Sequence, residues 1–185
     1  MPVPRKILLL AMLVVACAQA RAGEERAHLA HPKGTSPVLL EVNREQGVSA
    51  KFGGYAWVKG TLHARWPSGQ GTQSDSPEYL LIPDADSTAK LPYFFFRNAS
   101  ATRRYRVASL QLVNGEQALR KAAGRARADQ FLQRRTDDVH VTGDFLVEAY
   151  EVGVECDAPW AKARFVRARI PDQTAVVRQE IQESC

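Results

Sequence analysis

Four histidines, His28, His31, His63 and His140, are the residues of this chain best suited to acid–base or metal chemistry. His28 and His31 have a spacing that can hold a metal ion on a helix, but no third ligand lies near them in the sequence. His63 and His140 could act as acid and base if the fold brings them together. No nucleophile or carboxylate spacing completes a mechanism with them. The pattern therefore predicts no catalytic residue, no metal and no cofactor. The alternative is a secreted hydrolase that uses His63 and His140.

A second group of residues could bind a ligand without catalysis. Aromatic and basic residues interleave over the segment 93–106, and on a β-barrel such a surface combines ring stacking with positive charge. The alternative is a core built from the aromatic residues, with the arginines in solvent. The candidate binding residues are Tyr93, Arg97, Arg103, Arg104 and Arg106.

Positive charge is concentrated around these candidates. The whole chain has 25 basic and 20 acidic residues, which gives a net charge of +5. Ten of the basic residues and only two acids lie between 97 and 135, so this segment carries +8. Removal of residues 1–22 would take away three basic residues and leave +2. A nearly neutral mature chain gives little support to nucleic acid as a partner. In an exported protein, the basic surface would instead meet an anionic envelope component or another envelope protein.

The amino-terminal residues have the order of a secretory signal peptide. The basic pair Arg5-Lys6 precedes an uncharged apolar run over 7–16. This run is about half the 20 residues that a transmembrane helix needs. Small residues allow cleavage after Ala20 or Ala22, whereas the segment ending at Cys17 resembles a lipobox and leaves acylation of that cysteine as the alternative. We therefore expect a periplasmic or secreted protein, or a lipoprotein anchored through Cys17.

The cysteine count agrees with export. Of the three cysteines, Cys17 lies in the leader, so cleavage leaves Cys156 and Cys185 as a pair in an oxidising compartment. A disulfide between them would close a loop of about 30 residues and stabilise the fold by roughly 3–4 kcal/mol. A reactive thiol or a cysteine metal site is the alternative.

Three segments follow from these patterns: a signal peptide at 1–22, a polar and flexible linker at 23–36, and one β-rich domain with a C-terminal tail at 37–185. Apolar runs bounded by turn residues predict the strands of this domain. They are expected at 38–42, 55–66, 79–82, 93–96, 105–113, 139–154 and 163–170.

One helix is predicted in the middle of the domain. Asn114 and Gln117 resemble a capping box, and apolar residues recur after them at helical spacing. Gly124 leaves open whether this segment forms one helix or two short ones. Strands before and after a single central helix indicate a mainly β fold of the OB type, which is a small Greek-key barrel. The alternative is an α+β sandwich.

Two pentapeptides flank the helix, Val58-Lys59-Gly60-Thr61-Leu62 and Val141-Thr142-Gly143-Asp144-Phe145. On these the chain resembles the OB-like domains of small exported bacterial proteins, over roughly residues 48–170. The resemblance implies that glycine permits the sharp coil needed for barrel closure. The chain departs from the pattern in long excursions at 67–77 and 84–91. We interpret it as a non-catalytic binding or interaction module of the bacterial envelope.

Overall fold

The structure, a computed structural model, describes residues 26–33, 37–44, 48–67, 76–97, 101–134, 138–171 and 178–179. These residues form a mainly β fold with few helices. The expected signal peptide with Cys17, and Cys185 of the expected disulfide, lie outside the described residues.

Ten strands and three short helices are present in the described part of the chain. The strands are β1 (Arg26–Ala30), β2 (Val38–Asn43), β3 (Val48–Arg65), β4 (Glu78–Pro83), β5 (Tyr93–Arg97), β6 (Thr102–Tyr105), β7 (Leu110–Leu112), β8 (Asp138–Glu155), β9 (Ala158–Arg169) and β10 (Arg178–Gln179). The helices are α1 (Ala85–Lys90), α2 (Gly115–Ala123) and α3 (Arg125–Leu132).

The larger sheet is built on β3 and β8, two antiparallel strands of 18 residues each. Strand β4 pairs with the second half of β3, and β9 pairs with β8. Strand β7 is antiparallel to β4 and parallel to β9. Strand β2 lies beside the first half of β3, and β10 beside the start of β8. Five strands of this sheet therefore each pair with two of the other four; they are β3, β4, β7, β9 and β8.

The side chains of β3 and β8 alternate between core and solvent, as period-two patterning requires. On the core side, Leu62 and Ala64 of β3 and Val141 of β8 are fully buried. The two glycine pentapeptides pair with each other, and Gly60 lies directly opposite Gly143. A Cβ at Gly60 would overlap the carbonyl oxygen of Ile82. Glycine is needed there because β4 approaches the backbone too closely for a side chain.

Helices α2 and α3 meet at Gly124, whose φ of +83° ends the first helix. The segment thus forms two short helices. The expected capping box is wrong, because no side-chain hydrogen bond caps α2. Instead, the Asn114 amide donates to the carbonyl oxygen of Phe165 and accepts from its N–H, at 2.9 and 2.7 Å. The side chain thereby extends the pairing of β7 with β9.

A smaller sheet has the strand order β1-β5-β6. Strand β1 falls inside the segment 23–36 that we expected to be a flexible linker. The single strand expected over 105–113 is wrong: within that range only Leu110–Leu112 forms β7, and Tyr105 is the last residue of β6, which belongs to the smaller sheet. Helix α1 occupies part of the excursion 84–91.

One core joins the two sheets and the helices. Phe94 of β5, Phe131 of α3 and Phe145 of β8 are at most 1% exposed and belong to the same apolar cluster. A buried hydrogen bond also links the sheets, because the Tyr150 hydroxyl donates to the carbonyl oxygen of Pro92 at 2.7 Å. The small sheet is therefore held on the large one by packing and by a polar contact.

Candidate functional site

The small sheet has one side against the core and one side toward solvent. Phe94 points inward at 1% exposure, so its neighbours Tyr93 and Phe95 point outward, and both are half-buried. Arg104 lies directly opposite Phe95 on β6, and His28 lies opposite it on β1. We call the outward group the aromatic–basic face; its members are His28, Tyr93, Phe95, Arg104 and Arg106.

Ring contacts organise this face. The guanidinium carbon of Arg106 lies 5.5 Å from the centroid of the Tyr93 ring, within cation–π range. The His28 and Phe95 rings stack with centroids 5.1 Å apart and planes 17° apart. Arg104 is exposed beside this stack. The face therefore presents two flat, half-buried aromatic groups with a cation next to each.

No carboxylate among the described residues forms an ion pair with Arg104 or Arg106. Arg120 of α2 differs in this respect. Arg120 bonds both Glu116 and Asp129, and these hydrogen bonds raise the pKa of its guanidinium. The segment with a charge of +8 thus includes helix arginines with acidic partners, Arg120 and Arg125, and a sheet face on which Arg106 lies against a ring.

Of the predicted binding residues, the structure brings Tyr93, Arg104 and Arg106 together. Arg97 ends β5 on the same side and is exposed. Arg103 lies opposite Phe96, on the other side of the sheet. Sequence reasoning considered His28 only as a metal ligand with His31 and did not group it with these residues, because it fell in the expected linker; its pairing with β5 places it here.

A second polar group lies on the outer side of the large sheet. His63 of β3 faces His140 of β8, and their ring centroids are 4.0 Å apart. The His63 Nε2 donates a hydrogen bond to Asp138 Oδ1 at 2.9 Å. The potential ligand atoms of these three residues all lie within 4.8 Å of one another. Burial first, and then the neighbouring His63, lower the pKa of His140, so its imidazole favours the neutral form.

The surroundings of this group are polar and already paired. Thr61 and Thr142 bond each other at 3.0 Å in the adjoining cross-strand pair. Arg65 lies opposite Asp138 in register, yet its guanidinium bonds Glu78 at 2.8 Å. Asp138 is therefore left to face the histidines.

The other candidates from the sequence lie apart from both groups. His31 donates to the carbonyl oxygen of Pro37 at 2.9 Å and does not join His28. Cys156 is exposed in the two-residue turn between β8 and β9, where it and Asp157 both have positive φ. Its disulfide with Cys185 stays a prediction, since Cys185 lies outside the described residues.

In the part of the chain that the structure describes, no helix has the length and apolar character needed to cross a membrane. Comparisons of the chain with protein-family models, with curated proteins and with solved structures found no match.

Proposed function

We propose that the chain is an exported, non-catalytic binding module that holds an anionic component of the bacterial envelope on its aromatic–basic face. The observation that carries this proposal is the pair of exposed arginines, Arg104 and Arg106, next to half-buried rings and without an acidic partner among the described residues. Arginine can bond a carboxylate or phosphate in two places at once. The Tyr93 and Phe95 rings can stack on a sugar or another flat group.

An OB-like Greek-key arrangement is part of the proposal. Its support is the set of pairings in which β3 joins β4, β4 joins β7, β7 joins β9, β9 joins β8, and β8 joins β3. The parallel pair β7–β9 and the helices between β7 and β8 fit the same arrangement. The proposed ligand face lies on the additional sheet β1-β5-β6 rather than on these strands.

Export supplies the class of ligand. The Arg5-Lys6 pair and the apolar run 7–16 support secretion, with anchoring through Cys17 as the alternative. Outside the cytoplasm, the abundant anions are acidic glycans and lipid headgroups. Another envelope protein with an acidic surface is the second kind of partner, and treatment of the extract with protease distinguishes the two.

The test compares two double variants of the mature protein. Arg104→Ala with Arg106→Ala removes two charges from the aromatic–basic face. Arg125→Ala with Arg127→Ala removes two exposed charges from α3, within the same basic segment. Each lost charge-assisted contact is worth about 1.5–3 kcal/mol. We expect the first variant to capture anionic material from an envelope extract at least tenfold more weakly, and the second to behave like the unmodified protein.

Salt gives a second readout of the same binding. Capture should weaken as ionic strength rises above roughly 0.15 M, where the Debye length falls below about 8 Å. Equal losses in both double variants would point to non-specific attraction, and unchanged capture in the first variant would refute the proposed face.

A secreted hydrolase using His63 and His140 is the second candidate function. The observation that favours it is that the fold brings both histidines and Asp138 together on one sheet face. Hydrolysis of an ester or glycan substrate by the mature protein, lost in His63→Gln, would support this candidate. Retained hydrolysis in that variant would exclude it.

A further inference from the structure

We propose that His63, Asp138 and His140 form a binding site for one divalent first-row transition metal ion, Zn²⁺ being the simplest case, with a remaining coordination position open to solvent. This site lies on the large sheet and does not depend on the proposed function of the aromatic–basic face. Its basis is the convergence of two imidazoles and one carboxylate whose ligand atoms lie within 4.8 Å of one another.

The types of ligand select the class of metal. Imidazole nitrogen is the ligand of zinc, copper, nickel and iron, whereas Ca²⁺ and Mg²⁺ take oxygen ligands. Two nitrogens and one carboxylate oxygen therefore favour a transition ion. Structural zinc sites are usually closed by four protein ligands, but sites with three leave a position for water or a substrate. The side chains of His63 and Asp138 are 17% and 29% exposed, so solvent can reach that position.

The backbone positions the three side chains before any ion arrives. His63 and His140 are direct cross-strand partners, and Asp138 precedes His140 by two residues on the same face. On the opposite side of the same strands, Leu62 and Val141 are 0% exposed, which fixes the strands to the core. Ligand atoms around a tetrahedral zinc lie about 3.3 Å apart, given bonds of roughly 2.0–2.1 Å. Side-chain rotation is therefore enough to complete the site.

The local hydrogen bonds also leave this group available. Arg65 could neutralise Asp138 from the opposite strand, but it bonds Glu78 instead. The His63 bond to Asp138 is the contact that an ion would replace. For Nε2 to bind the metal, the ring would carry its one proton on Nδ1 instead, and the freed carboxylate would bind the same ion. His63 and Asp138 would thus exchange their mutual hydrogen bond for bonds to the ion, and His140, whose side chain makes a ring contact with His63, would add the third ligand.

The test is a titration of chelator-treated mature protein with Zn²⁺ in competition with a chromophoric chelator. We expect one ion per chain, with affinity at least tenfold weaker in His140→Gln and in Asp138→Asn. The matched control is His31→Gln, which removes an exposed histidine that belongs to neither proposed site and should leave the affinity unchanged. Binding of Co²⁺ should give the visible absorption of a site with nitrogen and oxygen ligands.

Histidine nuclear magnetic resonance of the unmodified protein makes the test independent of how the variants fold. Substoichiometric Zn²⁺ should shift the imidazole signals of His63 and His140 while those of His28 and His31 stay in place. Absence of one-to-one binding, equal affinity in all variants, or shifts confined to His28 and His31 would each overturn the proposal. None of these outcomes tests whether Arg104 and Arg106 capture anionic envelope material, so the two proposals can fail separately.

Discussion

Replacement of Tyr150 by phenylalanine removes one hydroxyl from the junction that holds the proposed ligand face on the large sheet. Tyr150 is 2% exposed and donates to the carbonyl oxygen of Pro92, which is also buried. Pro92 immediately precedes β5, the strand that carries Tyr93 and Phe95. Burial raises the pKa of Tyr150, so the hydroxyl keeps its proton and remains a donor.

The size of the effect follows from the loss of this donor. A hydrogen bond contributes about 0.5–1.5 kcal/mol net, and a buried acceptor left without a partner costs about 1–3 kcal/mol. The ring of Phe takes the place of the Tyr ring, so only the volume of one hydroxyl is lost. We expect Tyr150→Phe to lower the free energy of unfolding by about 1–2 kcal/mol. With a urea dependence of about 2 kcal/mol per molar, the midpoint falls by roughly 0.5–1 M.

Urea unfolding followed by tryptophan fluorescence measures this shift. The matched control is Tyr105→Phe, which also removes one hydroxyl, but from a solvent-exposed bond to Asp157 of 3.2 Å. Because surface substitutions change stability by less than about 0.5 kcal/mol, its midpoint should move little. Equal midpoints for Tyr150→Phe and the unmodified protein would refute the claim that the buried hydrogen bond to Pro92 stabilises the fold.

Two further predictions concern pH and processing. The pKa of His140 is lower in the folded protein than in the unfolded chain, so the unfolded chain binds a proton more readily. With a chelator present, the free energy of unfolding should therefore fall as the pH drops below about 6.5. The variant His140→Asn should make this fall smaller. Stability unchanged by the substitution between pH 5 and 7 would contradict this. Protein recovered from its native host should start near Arg21 or Gly23, or at an acylated Cys17, and show no free thiol when unfolded without reductant. Intact Met1, or two titratable thiols, would contradict the export and disulfide expectations respectively.

The strands with strong apolar alternation were predictable from the sequence. The pentapeptides containing Gly60 and Gly143 mark strands that prove to be partners. Strand β1 was not predictable, because its residues Arg-Ala-His-Leu-Ala lack β-branched and aromatic side chains; pairing with β5 outweighs this weak propensity. The cap expected at Asn114 failed for a similar reason, since a tertiary contact with Phe165 takes its amide.

The two candidate sites differ in how far the sequence revealed them. Tyr93, Arg104 and Arg106 lie close together in the chain, so their interleaving was visible, but which arginines share a face depends on strand register. His63 and Asp138 are 75 residues apart. No local spacing connects them, and only the pairing of β3 with β8 brings them within bonding distance of each other.

Site-specific photo-crosslinking in the native host tests the proposed ligand face most directly. A benzoyl-phenylalanine placed at position 95 replaces one aromatic ring with another at the centre of the aromatic–basic face. The control places the same group at Val113, which is 68% exposed and lies next to β7 in the other sheet. We predict that irradiation attaches anionic envelope material at position 95, that Arg104→Ala with Arg106→Ala abolishes this adduct, and that position 113 gives none. Equal adducts at both positions, or an adduct at 113 alone, would contradict the account.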